Sequence, residues 1–285
     1  MRRAPRVALL ALALSLVTAC GGAQPAATPE PAGELTVFAA ASLTEAFTEI
    51  GEQFEAANSA AVTFNFAGSD QLAAQINEGA PADVFASANQ RQMDVVIQSG
   101  EVVGGTERIF ARNRLVVIYP SDNPGGLTTL ADLAKPGLKL VLANRSVPVG
   151  AYSLDFLARA SALPEYTAAF SPTVLANVVS YEENVRAVLS KVALGEADAG
   201  IVYTTDAASV TGGEIATLDI PDELNTIATY PIAPLARARS PELAQRFVDY
   251  VLGPEGQQVL VKHGFIPAID SPTGAFRNLG PTPPL

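Results

Sequence analysis

An α/β architecture with largely parallel sheets covered by helices is what this sequence predicts, on three observations. Short β-rich runs alternate with segments whose apolar residues recur at helical spacing. About 250 residues follow the leader and tether, enough for one large domain or two modest ones. No internal repeat of solenoid period interrupts them, and low complexity is confined to that tether and the tail "PTPPL". Taken in order, "ELTVFAA" reads as a strand, and Leu43, Ala46, Phe47, Ile50 and Phe54 then mark a helical stripe. "AVTFNFAG" reads as a strand, Leu72 and Ile76 as a helix stopped by Gly79, and "ADVFASA" as the next strand. "RLVVIYP" (114–120) opens a second series: "LKLVLAN", helices from about Gly150 to Ala162 and Glu183 to Leu194, and "AGIVYT". After "TYPIAPLA" come two helices, the first carrying Leu243, Phe247 and Val251 on one stripe, the second starting at Pro254.

The first twenty residues stand apart. "MRRAPR" is a basic start, "VALLALALSLV" an apolar run too short to span a bilayer comfortably, and "TAC" a processing site, so residues 1–20 are expected to be an export signal. Its ending "LVTACGG" looks like a bacterial lipobox, which makes Cys20 the expected lipidation site and the membrane surface the expected anchorage. Residues 21–33, small and Pro-rich, read as a tether. Cys20 is the only cysteine, so an intrachain disulfide and a Cys-based zinc or redox site are excluded. The net charge of −11 argues against nucleic acid as a partner. It says little about a buried pocket, because net charge governs long-range steering.

The sequence is poor in catalytic equipment. Its single histidine, His263, lies at the end of a helix pattern, where the helix dipole accounts for it. Neither a P-loop nor a Gly-x-Gly-x-x-Gly turn is present. A different theme repeats: a strand ends in small residues and the next helix opens with a hydroxyl or a flexible backbone. Ser42 follows "AAA" and, with Glu45, matches a capping box; Ser69 follows "FAG"; Val149 lies in "SVPVGAYS"; Val185 lies in the first turn after "SYEEN". Each helix start leaves backbone N–H groups unpaired and carries roughly half a positive charge, so four converging ends would offset about two negative charges. Serine hydroxyls and the Tyr203 phenol, at the end of "AGIVY", would add O–H donors. Asp70, Glu182 and Glu183 adjoin these positions; turned inward, they would repel an anion.

In "TVFAAASLTEAF", "GAPADVFASANQRQMD", "SVPVGAYS", "ENVRAVL", "GIVYTTDA" and "FVDYVLGPEGQQVLVKHGF" the chain resembles the periplasmic molybdate-binding proteins, the substrate-binding components of molybdate ABC importers. The resemblance runs from Glu34 to about Pro267. It implies the type II periplasmic binding fold, two α/β lobes joined by two hinge crossings around a ligand cleft. The expected lobes are residues 34–112 with 229–285, and 113–228. It implies an oxyanion site of Ser42 and Ser69 from the first lobe, and of the Val149 and Val185 amides and Tyr203 from the second. Many members have alanine in place of Val149. The expected ligand is molybdate, with tungstate beside it; no cofactor, free metal ion or enzymatic activity is expected. The expected partner is an ABC permease, and the protein itself is expected to be an extracytoplasmic, lipid-anchored monomer. The alternatives are a receptor for another tetrahedral oxyanion such as sulfate, a ferric-iron receptor of the same fold, an enzyme on this scaffold, and an adhesion or sensor protein.

Overall fold

The computed structural model describes residues 33–268; the signal segment, Cys20, most of the tether and the tail lie outside the described residues. The strands are β1 (Glu34–Ala40), β2 (Ala61–Ala67), β3 (Val84–Ala86), β4 (Arg108–Asn113), β5 (Leu115–Pro120), β6 (Leu140–Ala143), β7 (Val178–Glu182), β8 (Ala199–Tyr203), β9 (Ile215–Asp219), β10 (Ala228–Pro234) and β11 (Ile266–Pro267). The helices are α1 (Thr44–Asn58), α2 (Ser69–Asn77), α3 (Gln90–Gln98), α4 (Pro148–Ser161), α5 (Phe170–Ala176), α6 (Val185–Ala193), α7 (Thr204–Ala208), α8 (Pro241–Leu252) and α9 (Pro254–Lys262).

Two sheets result. One has the order β11-β4-β10-β3-β1-β2, the other β7-β6-β8-β5-β9. They are mixed rather than largely parallel. β1 pairs in parallel with β2 and β3, and β6 with β7 and β8. The contacts of β10 with β3 and β4, of β11 with β4, and of β5 with β8 and β9 are antiparallel. The physical reason lies in the connections. Strand–helix–strand units within a sheet are parallel, whereas β4, β5, β9 and β10 flank the two places where the chain passes between sheets.

Helices cover the sheets with their apolar stripes. Phe47 and Phe54 of α1, Phe64 of β2, Phe110 of β4 and Phe247 of α8 form one aromatic cluster; the Phe54–Phe247 rings meet edge-on at 5.2 Å. In the second sheet, "LVLA" of β6 and "AGIVY" of β8 are buried throughout, as central strands covered on both faces require.

The crossings are short and fastened to each other. One runs through Asn113 and Arg114 between β4 and β5, the other through residues 220–227 between β9 and β10. Buried Asn225, on the second, accepts from the Leu115 amide at 3.0 Å and donates to the carbonyls of Leu115 (2.9 Å) and Ile220 (3.2 Å). Arg114 and Asp222 form a second tie between the crossings.

Candidate functional site

Each strand that points at the cleft ends in small residues, and the backbone of the following turn becomes part of the wall. β1 runs through Ala39 and Ala40 into a short 3-10 turn at Ala41–Leu43, so α1 starts at Thr44 and Ser42 lies inside the turn. The Ser42–Glu45 capping box is therefore not made: the Ser42 hydroxyl meets Tyr230 at 3.0 Å, and Glu45 is held by Arg186. Ser69 is likewise not a cap. Gly68 occupies that position, its N–H donating to Gln71 Oε1 at 3.2 Å, and the Ser69 hydroxyl accepts the Ala88 amide at 3.0 Å.

The second sheet contributes α4 and α6. Pro148 occupies the first turn of α4, and the helix start sits directly on the end of β6. A Cβ at Gly150 would overlap the Asn144 carbonyl oxygen and lie 2.5 Å from that of Ala143, so only glycine lets the helix seat there. α6 is capped by Asn184, whose side-chain oxygen accepts the Ala187 amide at 3.0 Å. That places Val185 at the first helical position, with its N–H outside the helical ladder.

Ser42, Ser69, Val149, Val185 and Tyr203 line one small hollow, its cavity volume about 10 Å³. Its other walls are Ala40, Ala41, Ala67, Gly68, Ala88, Val147, Pro148 and Asn184, so no carboxylate, lysine or arginine lines it. Ser42 and Ser69 are buried, and Tyr203 is 1% exposed, its hydroxyl without a hydrogen-bond partner. A buried unpaired hydroxyl costs roughly 1 to 3 kcal/mol, so the hollow is suited to an acceptor that the phenol can reach. Burial pushes the Tyr203 phenol well above its ordinary value of 10.0, with the neighbouring Tyr230, Tyr152 and Asp206 adding to the rise, which keeps it a donor.

The neighbouring carboxylates turn to partners outside the hollow, and one of their oxygens, Asp70 Oδ1, is buried without a partner. Glu182 binds Lys191 at 2.7 Å and Ser180 at 2.5 Å. Glu183 accepts from Gln71 at 3.2 Å, and Asp70 accepts from Ser146 at 2.7 Å. The last two bonds join the sheets' two halves across the cleft, as does Gln92 Nε2 to the Ser146 carbonyl at 3.1 Å. Beside the hollow, Arg186 of α6 reaches both Glu45 of α1 and Asp206 of α7, the latter at 2.8 Å. Asp206 is fully buried, and desolvation, partly offset by Arg186, pushes its carboxyl up to about 7.

His263 follows α9, its Nε2 2.8 Å from Glu49, away from the hollow. Among the described residues there is no group of three or more His, Cys, Asp or Glu placed to hold a metal ion, and no helix long and apolar enough to cross a membrane. Gly68, expected from the sequence to use a backbone conformation other residues avoid, instead has ordinary φ −59° and ψ 137°. Sequence reasoning passed over Ala88 and Asn184 in the wall, and Tyr230 and Asn113 behind it. The strand–small-residue–helix theme points to the first two; for Tyr230 and Asn113 the sequence carries no local signal, since their partners are remote in the chain.

Residues 35–266 match the model of the bacterial extracellular solute-binding proteins. The molybdate-binding protein ModA of Mycobacterium tuberculosis is 40% identical over 260 residues, 90% of this chain and 94% of that protein. Two solved structures share the type II periplasmic binding architecture. The periplasmic molybdate-binding protein of Azotobacter vinelandii superposes with a TM-score of 0.69 at 22% identity, over 81% of this chain and 98% of that one. The sulfate-binding protein SubI of M. tuberculosis superposes with a TM-score of 0.75 at 18% identity, over 84% of this chain and 88% of that one. With two lobes, two hinge crossings, a polar but uncharged hollow between them, and a family match across nearly all the described residues, the chain belongs to the bacterial extracellular solute-binding protein family.

Proposed function

We propose that this protein is the substrate-binding component of a molybdate ABC importer, binding molybdate, and tungstate with it, between its lobes. The observation that carries the reading is the composition of the hollow: donors from both sheets, including the unpartnered Tyr203 hydroxyl, and no carboxylate on the wall. A fully ionised tetrahedral dianion offers only acceptors, which such a wall satisfies without a counter-ion. The M. tuberculosis relative is named for the same ligand. In this reading Ser42 and Ser69 donate through their hydroxyls, Val149 and Val185 through backbone N–H, and Tyr203 through its phenol. Because Val149 contributes its amide, valine serves as well as alanine there. The lobes are residues 34–112 with 229–285, and 113–228; they close on the ligand, and the loaded monomer is presented to a membrane permease. Cys20 holds the protein at the outer face of the membrane through its lipid. Binding and delivery, not catalysis, are its work.

Calorimetric titration with molybdate, tungstate, sulfate and phosphate tests the reading. Molybdate and tungstate should bind far more tightly than sulfate, because a smaller oxyanion leaves some donors unpaired. Sulfate binding as tightly as molybdate would overturn it. Ser42→Ala and Ser69→Ala should each weaken molybdate binding by about 1 to 3 kcal/mol while the thermal unfolding profile stays cooperative. Affinity should also show no decline centred on 10.0, the ordinary tyrosine value, because the Tyr203 proton is retained beyond it. A decline in molybdate affinity centred near that value would show Tyr203 to be exposed or not a donor.

A further inference from the structure

We infer that Tyr230, held by Asn113 at the first crossing, is a positioning residue that directs the Ser42 hydroxyl hydrogen into the hollow. The inference rests on the oxyanion reading above and concerns the direction of the bonds behind it.

Hydrogen accounting fixes that direction. Asn113 is fully buried; its Oδ1 accepts from the Arg114 amide at 2.9 Å and from the Thr204 hydroxyl at 3.0 Å, so the other end of the amide is the NH2. That NH2 donates to Thr205 Oγ1 at 2.8 Å and faces the Tyr230 oxygen at 3.5 Å. Tyr230 is also fully buried, and its partners are Asn113 Nδ2, which can only donate, and Ser42 Oγ at 3.0 Å. Its neighbour Tyr203, with ring centroids 5.9 Å apart, is close enough for Tyr230 to raise the Tyr203 phenol but lies outside hydrogen-bonding geometry. The Tyr230 hydrogen therefore has one acceptor within bonding distance, Ser42 Oγ. Were Ser42 to donate to Tyr230 instead, a fully buried phenolic O–H would be left without an acceptor. Burial raises the Tyr230 phenol far above its ordinary range, so the hydrogen stays on it.

Ser42 thus receives a hydrogen from behind and has its own left for the hollow. Ser69 stands in the same position, since its oxygen accepts the Ala88 amide, a group that can only donate. Both serines are set as donors before any ligand arrives, which removes the reorientation cost of binding an acceptor-only anion. Asn113 also binds Thr205 of the other half, so the group that sets Ser42 sits on the crossing itself.

A double-mutant cycle tests this with molybdate as the probe. Tyr230→Phe removes one oxygen from a ring packed between Phe110 and Phe265, and should weaken molybdate binding between about 3-fold and 10-fold. That loss should vanish in a Ser42→Ala background and persist in full in a Ser69→Ala background. A general disturbance of packing would appear equally in both. Asn113→Asp, which replaces the NH2 donor with an oxygen that offers the Tyr230 hydrogen a second acceptor, supplies the same cycle by a second route if Tyr230→Phe does not fold. Equal losses in both serine backgrounds, or wild-type affinity in Tyr230→Phe, would overturn the inference while leaving the oxyanion reading intact. Wild-type protein that binds no oxyanion would overturn both.

Discussion

Gly68→Ala should leave each lobe folded and remove most of the molybdate affinity. The backbone there (φ −59°, ψ 137°) is one that alanine adopts freely, so the substitution carries no conformational strain of its own. The difficulty lies across the cleft. A Cβ at position 68, just after β2, would stand 2.6 Å from the Glu183 carbonyl oxygen, just after β7 of the other sheet. A backbone carbonyl cannot rotate out of the way as a side chain can, so the lobes must stop short of contact. Overpacking of this kind costs about 1 to 3 kcal/mol, which corresponds to a loss of roughly 5-fold to 150-fold in affinity. Calorimetry gives the affinity, and small-angle scattering with and without molybdate reads the compaction. Wild-type affinity with normal compaction would mean that the close approach at Gly68 is not required for binding.

Arg186→Met should destabilise the protein by an amount that grows with pH, reaching about 3 kcal/mol in alkaline solution, where the fully buried Asp206 carboxyl must ionise without its cation. The pH dependence distinguishes this from lost packing. Asp206 titrates near 3.8 when unfolded and is raised to about 7 in the fold, chiefly by desolvation. Between those values the folded state binds more protons than the unfolded one, so this group's contribution to stability falls as pH rises through that window and levels off above it. Without Arg186 the folded value moves higher still, and the decline continues to more alkaline pH. Urea unfolding of both proteins from about pH 7 upward should show the deficit of the variant growing with pH. A deficit independent of pH would assign the effect to packing of the Arg186 stem and not to Asp206.

The apolar strands and helical stripes were legible because they are local: "LVLA" and "AGIVY" declare buried strands wherever they pair. Strand direction was not, because it depends on partners distant in sequence; β4 pairs with β10, and nothing within "RIFARN" says so. The site shows the same division. Strand ends with small residues followed by helix starts pointed to Ser42, Ser69, Val149 and Val185, the resemblance added Tyr203, and all five line the hollow. The Ser42–Glu45 capping signal misled because both side chains have stronger remote partners, Tyr230 and Arg186, which local spacing cannot reveal. The orientation of Asp70, Glu182 and Glu183 was open for the same reason and is decided by Ser146, Lys191 and Gln71.

The two bonds that Asn225 makes to Leu115, with the Arg114–Asp222 pair, tie the two crossings into a single axle. Two independent linkers would leave the lobes free to slide and twist as well as swing; a tied pair disfavours the first two. In the closure proposed above, each group along the cleft mouth would then travel a distance that grows with its separation from Asn225.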